Sequence, residues 1–268
     1  DSSSLAGGPP LKRLGQNFLI DRAARDLMLN AADLSKSDVV LEVGPGTGFL
    51  TEALMSHAGK VIAVEKDPRL VRFLKRKHRG NRRLQVIEGD VLKMTLPRFD
   101  KIVSCPPYYI SSRLILMLMA KRFRRAVLTL QKEFAERLAA KPSSSDYGRI
   151  SVMVQHKSSV ELVGEISRHS FRPVPRVDSS VVVIRRKKAE VPVKNERLFG
   201  DLVRFFFTQR RKKATKVLRN YLERLSKAGR MENAALPSIP DVRVFQLTVE
   251  DFERLSNEIA EMRDERVG

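Results

Sequence analysis

From residue 39 to residue 131 the chain alternates short β-branched runs with longer mixed segments, and this alternation narrows its fold more than any other feature. "VVLEV" (39–43), "KVIAVE" (60–65), "LQVIEG" (84–89), "KIVSC" (101–105) and "AVLTLQ" (126–131) read as strands bounded by turn residues. Between them lie segments long enough for helices, such as "GFLTEALMSHA" and "DPRLVRFLKRKH". Strand–helix–strand units need right-handed crossovers, so the expected fold is α/β, a doubly wound parallel sheet. "SSVELVGEI" (158–166) and "SSVVVIRR" (179–186) follow one another without a long helix and are expected as an antiparallel pair at one sheet edge. The texture then changes. "NERLFGDLVRFFFTQRRKKATKVLRNYLERLSKAG" has helical spacing and no strand signal, and "FQLTVEDFERLSNEIAEM" reads as a helix behind a threonine cap. The expected division is a disordered tail at 1–10, an α/β domain at 11–188 and a small all-α domain at 189–268.

With 268 residues, 42% of them hydrophobic, the chain can fill a real core. It has no run approaching the roughly 18 apolar residues of a membrane span. Its opening "DSSSLAGGPP" lacks the basic start and apolar centre of a signal peptide. Cys105 is the single cysteine, so no internal disulfide can form and a reducing cytoplasm is the expected location. The charge is more informative: 51 Lys and Arg against 31 Asp and Glu leave a net +20. Basic runs recur at 72–83, 120–126, 185–188 and 209–219. One such run fits a solvated helix face. Four, with so few acids, point to a nucleic acid. No basic amphipathic helix with large apolar anchors is evident, which sets a membrane partner aside.

Several strand ends carry groups suited to a ligand. "LEVGPGTGFLT" puts Gly44, Gly46 and Gly48 between the first strand and the next helix, where the backbone can approach a bound molecule. The spacing is G-x-G-x-G, not the dinucleotide G-x-G-x-x-G. Glu65 ends the second strand, where a carboxylate can accept both hydroxyls of a ribose. Asp90 follows the third, where it can take an exocyclic amine of adenine. "SCPPY" follows the fourth. Ligands of open α/β sheets sit at such carboxyl ends, and these four groups together point to S-adenosylmethionine. The four histidines (His57, His78, His156, His169) have no ligand-like spacing, and no metal is expected.

With these motifs the chain resembles the KsgA/Dim family of small-subunit ribosomal RNA adenine dimethyltransferases. The resemblance runs from "LKRLGQNFLID" through "EVGPGTGFLT", "VEKD", "EGDVL", "PPYYISS", "QKEFAERLAA", "DYGRISVMVQ" and "SFRPVPRVDSSVV" to "FTQRRKK". It implies that Gln16, Asn17, Leu19, Gly44, Gly46, Glu65, Lys66, Asp90, Val91 and the residue at 105 line the cofactor site. It places Pro106, Pro107, Tyr108 and Phe171 at the target base, with Tyr108 and Phe171 sandwiching a flipped adenine. The implied substrate is two adjacent adenines near the 3′ end of small-subunit RNA in a pre-ribosomal particle. Arg122, Arg124, Arg125, Arg210, Arg211, Lys212 and Lys213 are expected to hold RNA backbone, and the chain is expected to act as a monomer.

One departure stands out: the family has Asn where this chain has Cys105. A thiol is a weak acceptor, so the Asn contact to adenine N6 is missing while the backbone carbonyl of Pro106 remains. A slower enzyme is expected. Two rivals stay open on the sequence. A thiolate at Cys105 could attack a pyrimidine for C5 methylation, or the chain could be an RNA-binding ribosome-assembly factor with weak or lost catalysis.

Overall fold

The structure is a computed structural model that describes Leu11 and residues 14–188, 192–228 and 236–264. The expected disordered tail at 1–10 lies outside the described residues. The chain forms two compact units. One takes the residues up to Ala135 together with Ser159–Arg186, and the other takes Glu136–Ser158 with the chain from Lys187 onward.

In the first unit a two-residue strand, β1 (Phe18–Leu19), leads into α1 (Arg22–Ala32). Asp21 caps α1 by accepting from the backbone N–H groups of Ala23 and Ala24. Then β2 (Val39–Val43), α2 (Phe49–His57), β3 (Lys60–Glu65), α3 (Pro68–Lys77), β4 (Leu84–Glu88), β5 (Lys101–Ser104), α4 (Ser111–Met119) and β6 (Arg125–Gln131) alternate as the sequence pattern expects. α5 (Lys132–Ala139) and α6 (Arg149–Gln155) follow, and then β7 (Ser158–Ile166), β8 (Phe171–Arg172) and β9 (Ser179–Arg186). The seven-stranded sheet has the order β4-β3-β2-β5-β6-β9-β7. β4, β3, β2, β5 and β6 run parallel, and β9 returns antiparallel to β6. β7 lies at the edge beside β9.

Strand order reverses between β2 and β5, since the chain builds outward from β2 through β3 to β4 and then restarts at β5. A crevice opens at such a switch point, beyond the carboxyl ends of the two strands. Ser104 fixes the spacing there: its hydroxyl donates to the carbonyl of Val43 (2.6 Å) and accepts from the N–H of Val43 (3.2 Å). A separate two-stranded pairing joins β1 to β8, with Phe18 opposite Arg172 and Leu19 opposite Phe171.

The second unit is helical. α7 (Glu196–Phe207) is capped by the Asn195 side chain, and α8 (Ala214–Lys227) and α9 (Val249–Asp264) pack with it. Thr248 and Asp251 exchange side chain–backbone bonds of 2.9 and 3.1 Å at the start of α9, so the expected threonine cap is part of a reciprocal pair. The continuous helical spacing of 195–228 is interrupted. Between α7 and α8 the backbone of 210–214 bonds to that of 242–245, through Ala214 N–H to Val242 O and Phe245 N–H to Arg210 O among others. These long-range partners replace the helical ones. The expected α/β domain at 11–188 includes residues 136–158, which here group with the helical unit because Ala140, Tyr147 and Val152 are buried in its core beside Phe199, Phe206 and Tyr221. Each buried aromatic there contributes about 1.5–3 kcal/mol relative to exposure.

Candidate functional site

The crevice beyond β2 and β5 begins with the glycine turn. Gly46 has φ +59°, and a Cβ there would stand 2.6 Å from Cδ1 of Phe18. Gly44, with φ +70°, would bring a Cβ to 3.3 Å from Pro107 Cδ. Backbone conformation and space therefore both require glycine. The turn is pressed between the N-terminal "GQNF" segment and the Pro107 strand end.

Glu65, at the end of β3, is 6% exposed. Its Oε1 accepts from the N–H groups of Lys66 and Asp67, both at 2.8 Å, and its Oε2 accepts from Gly46 N–H at 3.3 Å. Burial raises its pKa against these bonds. Three donors on a carboxylate with about four lone pairs leave Oε2 able to accept from a ligand hydroxyl. Asp90, beyond β4, accepts from Leu92 N–H (3.1 Å) and from Lys66 Nζ (3.0 Å), and the lysine bond lowers its pKa. Val91 is buried beside it. Gln16 donates to Asp67 (3.0 Å) and accepts from Leu11 N–H (2.7 Å), tying the N-terminal segment to the cap of α3. The Arg69 guanidinium beside Asp67 holds that carboxyl down at about 2.

Gln16, Asn17, Gly44, Gly46, Glu65, Lys66, Cys105 and Pro107 line one pocket, which also takes in Tyr109. An adjoining pocket takes in Asn17, Leu19, Gly44 and Cys105 together with Glu42. Glu42 was missed by reasoning from sequence. It lies in β2, 1% exposed, its Oε2 has no hydrogen-bond partner, and burial pushes its carboxyl up to about 8. The available signal was an acid inside the otherwise apolar strand "VVLEV". Tyr109, half exposed, is a second omission, although it stands in "PPYYISS".

At the end of β5 the Cys105 thiol lies 3.5 Å from Thr129 Oγ1 and 3.5 Å from Met28 Sδ. Burial pushes it up to about 12. A nucleophilic cysteine needs the opposite shift, so the site does not favour thiolate attack on a pyrimidine. Pro106 is buried. Tyr108 is partly exposed, and its hydroxyl shares a 2.6 Å hydrogen bond with Ser179 Oγ. Phe171 is 1% exposed, packed in the core of the first unit across from Leu19. It presents no open face beside Tyr108 for the expected sandwich.

The expected RNA-binding residues divide. Arg124 is paired with Asp38, and Arg125 bonds to the Ala31 carbonyl (3.1 Å) and lies 3.4 Å from Asp33. Arg210 donates to the carbonyls of Ser144, Ser145 and Tyr147 and stacks on Phe245, which makes it a fastener of its own unit. Lys212 bonds to Gln209 and Lys213 pairs with Asp241. Arg122 and Arg211 are exposed.

A family model described as "Ribosomal RNA adenine dimethylase" matches residues 11–261. The chain belongs to the ribosomal RNA adenine dimethylase family. A probable ribosomal RNA small subunit methyltransferase A from Thermococcus onnurineus is 46% identical over 248 residues, covering 90% of this chain and 89% of the relative. A protein of the same description from Pyrococcus abyssi is 40% identical over 257 residues, covering 95% and 93%. Among solved structures, a dimethyladenosine transferase from Plasmodium falciparum superposes with a TM-score of 0.81 at 33% identity, covering 91% of this chain and 98% of that one. The 23S rRNA methyltransferase ErmE gives 0.66 at 29% identity, covering 92% and 100%.

As for the rest of this family, the methyl donor is S-adenosylmethionine, and the crevice fits it. The glycine turn admits a close ligand, Glu65 and Asp90 keep acceptor capacity, and Glu42 supplies a buried carboxyl with an unpartnered oxygen. Among the described residues no helix is long and apolar enough to cross a membrane.

Proposed function

We propose that this protein dimethylates N6 of two adjacent adenines near the 3′ end of small-subunit ribosomal RNA, acting as a cytoplasmic monomer on a pre-ribosomal particle. The observation that carries the reading is the convergence at the β2/β5 switch point of the glycine turn, Glu65 and the Cys-Pro-Pro-Tyr strand end. Bound S-adenosylmethionine supplies an activated methyl on a sulfonium. Glu65 would hold the ribose hydroxyls and Asp90 the adenine amine of that cofactor.

The chain's own work is positioning, which can supply several kcal/mol of barrier reduction. The Pro106 carbonyl would accept an N–H of the target amine, concentrating its lone pair on nitrogen. Tyr108, anchored through Ser179, would stack on the flipped base; such a stack contributes about 1–3 kcal/mol. No residue needs to act as a strong base, because the leaving group is neutral and the amine can release its proton after transfer. Incubation of the protein with labelled cofactor and undermethylated small subunits, followed by mass spectrometry of the RNA 3′ end, tests this. Two N6,N6-dimethyladenosines are expected. Label on a pyrimidine carbon, or none at all, overturns the reading.

A further inference from the structure

The second unit carries a polar cleft of about 650 Å³ that shares no residue with the methyl-transfer crevice. We propose that it is a phosphate-binding site for the sugar–phosphate backbone of RNA, gripping the substrate without reading its sequence. This rests on the reading of the protein as an RNA-modifying enzyme.

Five arginines line the cleft: Arg149 from α6, Arg197 and Arg204 from α7, Arg224 from α8 and Arg263 from α9. Asp201 is the one acid among the lining residues. On an ordinary solvated surface such side chains belong to separate faces and are interspersed with acids. Here four helices turn them into one concavity, where mutual repulsion opposes folding unless a polyanion offsets it.

The cleft is also built. Asp201 Oδ2 accepts from the hydroxyl of Tyr221, whose ring is fully buried, at 3.2 Å. Asp201 Oδ1 pairs with Arg204 and stands 4.0 Å from Arg224. Arg224 is further held over the ring of Phe205, 5.4 Å from its centroid. The single carboxylate is thus occupied in orienting two guanidiniums. Arg149, Arg197 and Arg263 have no ion-pair partner among the described residues. Planar guanidinium forks suit phosphate oxygens. The Tyr221 ring is closed off, so the lining offers no aromatic platform for a base. That combination favours backbone over nucleobase, and a chain of phosphodiesters over a single nucleotide.

The test uses the full-length protein, a fragment of small-subunit RNA and a salt titration of binding. Removing a phosphate-neutralising cation lowers the slope of log affinity against log salt by about one and weakens all sequences alike. Arg197→Ala/Arg263→Ala should lower the slope by about two, and Arg197→Lys/Arg263→Lys should recover most of it. Thermal melting checks that the variants fold. If the double variant melts early, Arg149→Ala, at an exposed position, should still lower the slope by about one. Wild-type binding with unchanged slopes in the folded variants overturns the site alone, including in favour of an acidic protein partner. A wild-type protein that binds no RNA overturns both the site and the functional reading.

Discussion

In the proposed reaction, Cys105 is the residue on which the hold on the target amine turns. The thiol accepts weakly, yet Thr129 Oγ1 stands 3.5 Å from it, a polar neighbour to which an amide N–H could donate. An asparagine at 105 could satisfy that hydroxyl and keep its oxygen for the substrate. Cys105→Asn is therefore expected to speed single-turnover methyl transfer about ten- to thirtyfold, the equivalent of about 1–2 kcal/mol. An unchanged or slower rate would show that the amide is not what the site lacks. Gly46 is the other sensitive point. Gly46→Ala forces a side chain to φ +59° and into Phe18, and left-handed backbone alone costs about 1–2 kcal/mol. S-adenosylmethionine affinity by calorimetry should fall about tenfold or more; undiminished binding would remove the glycine turn from the cofactor's wall.

At the level of elements, β2 buries an acid with one carboxyl oxygen left without a hydrogen-bond partner. Glu42 keeps its proton in the folded state up to about 8, whereas unfolded it releases it near 4.5. Between those values the folded state binds more protons, so Glu42 makes stability fall as pH rises through that window. Glu42→Gln should flatten the decline of melting temperature between about pH 5 and 8. A slope equal to that of the wild type would mean the carboxyl ionises freely. The same strand shows what the sequence made legible. Its β-branched residues announced β2, as those of β3, β5 and β6 announced theirs, because a parallel strand buried on both faces is predominantly apolar. The roles of Glu42, Arg124 and Arg210 were not legible, since each depends on groups far away in sequence. The break at 208–213 and the transfer of 136–158 to the helical unit escaped for the same reason: the competing partners at 242–245 and in the helical core are tertiary.

Across the whole molecule, a net charge of +20 makes RNA binding an electrolyte problem. If six or more phosphates are neutralised, affinity for small-subunit RNA should weaken about a thousandfold between roughly 50 and 200 mM salt. A flat response would count against a polyanion as partner. The β1–β8 pairing has a different consequence, one of timing. Ser170 Oγ donates to Asp21 across 149 positions of sequence, Ile20 N–H bonds to the Ser170 carbonyl, and Phe18, the ring against Gly46, faces Arg172. On a translating ribosome at about 5–20 residues per second, roughly seven to thirty seconds separate synthesis of the two strands. A nascent chain arrested before Phe171 should fail to retain S-adenosylmethionine even though Gly46, Glu65 and Asp90 are already made. Retention by such a chain would show that β8 is dispensable to the wall. On this reading β1 waits for the much later β8 before the cofactor's pocket can close.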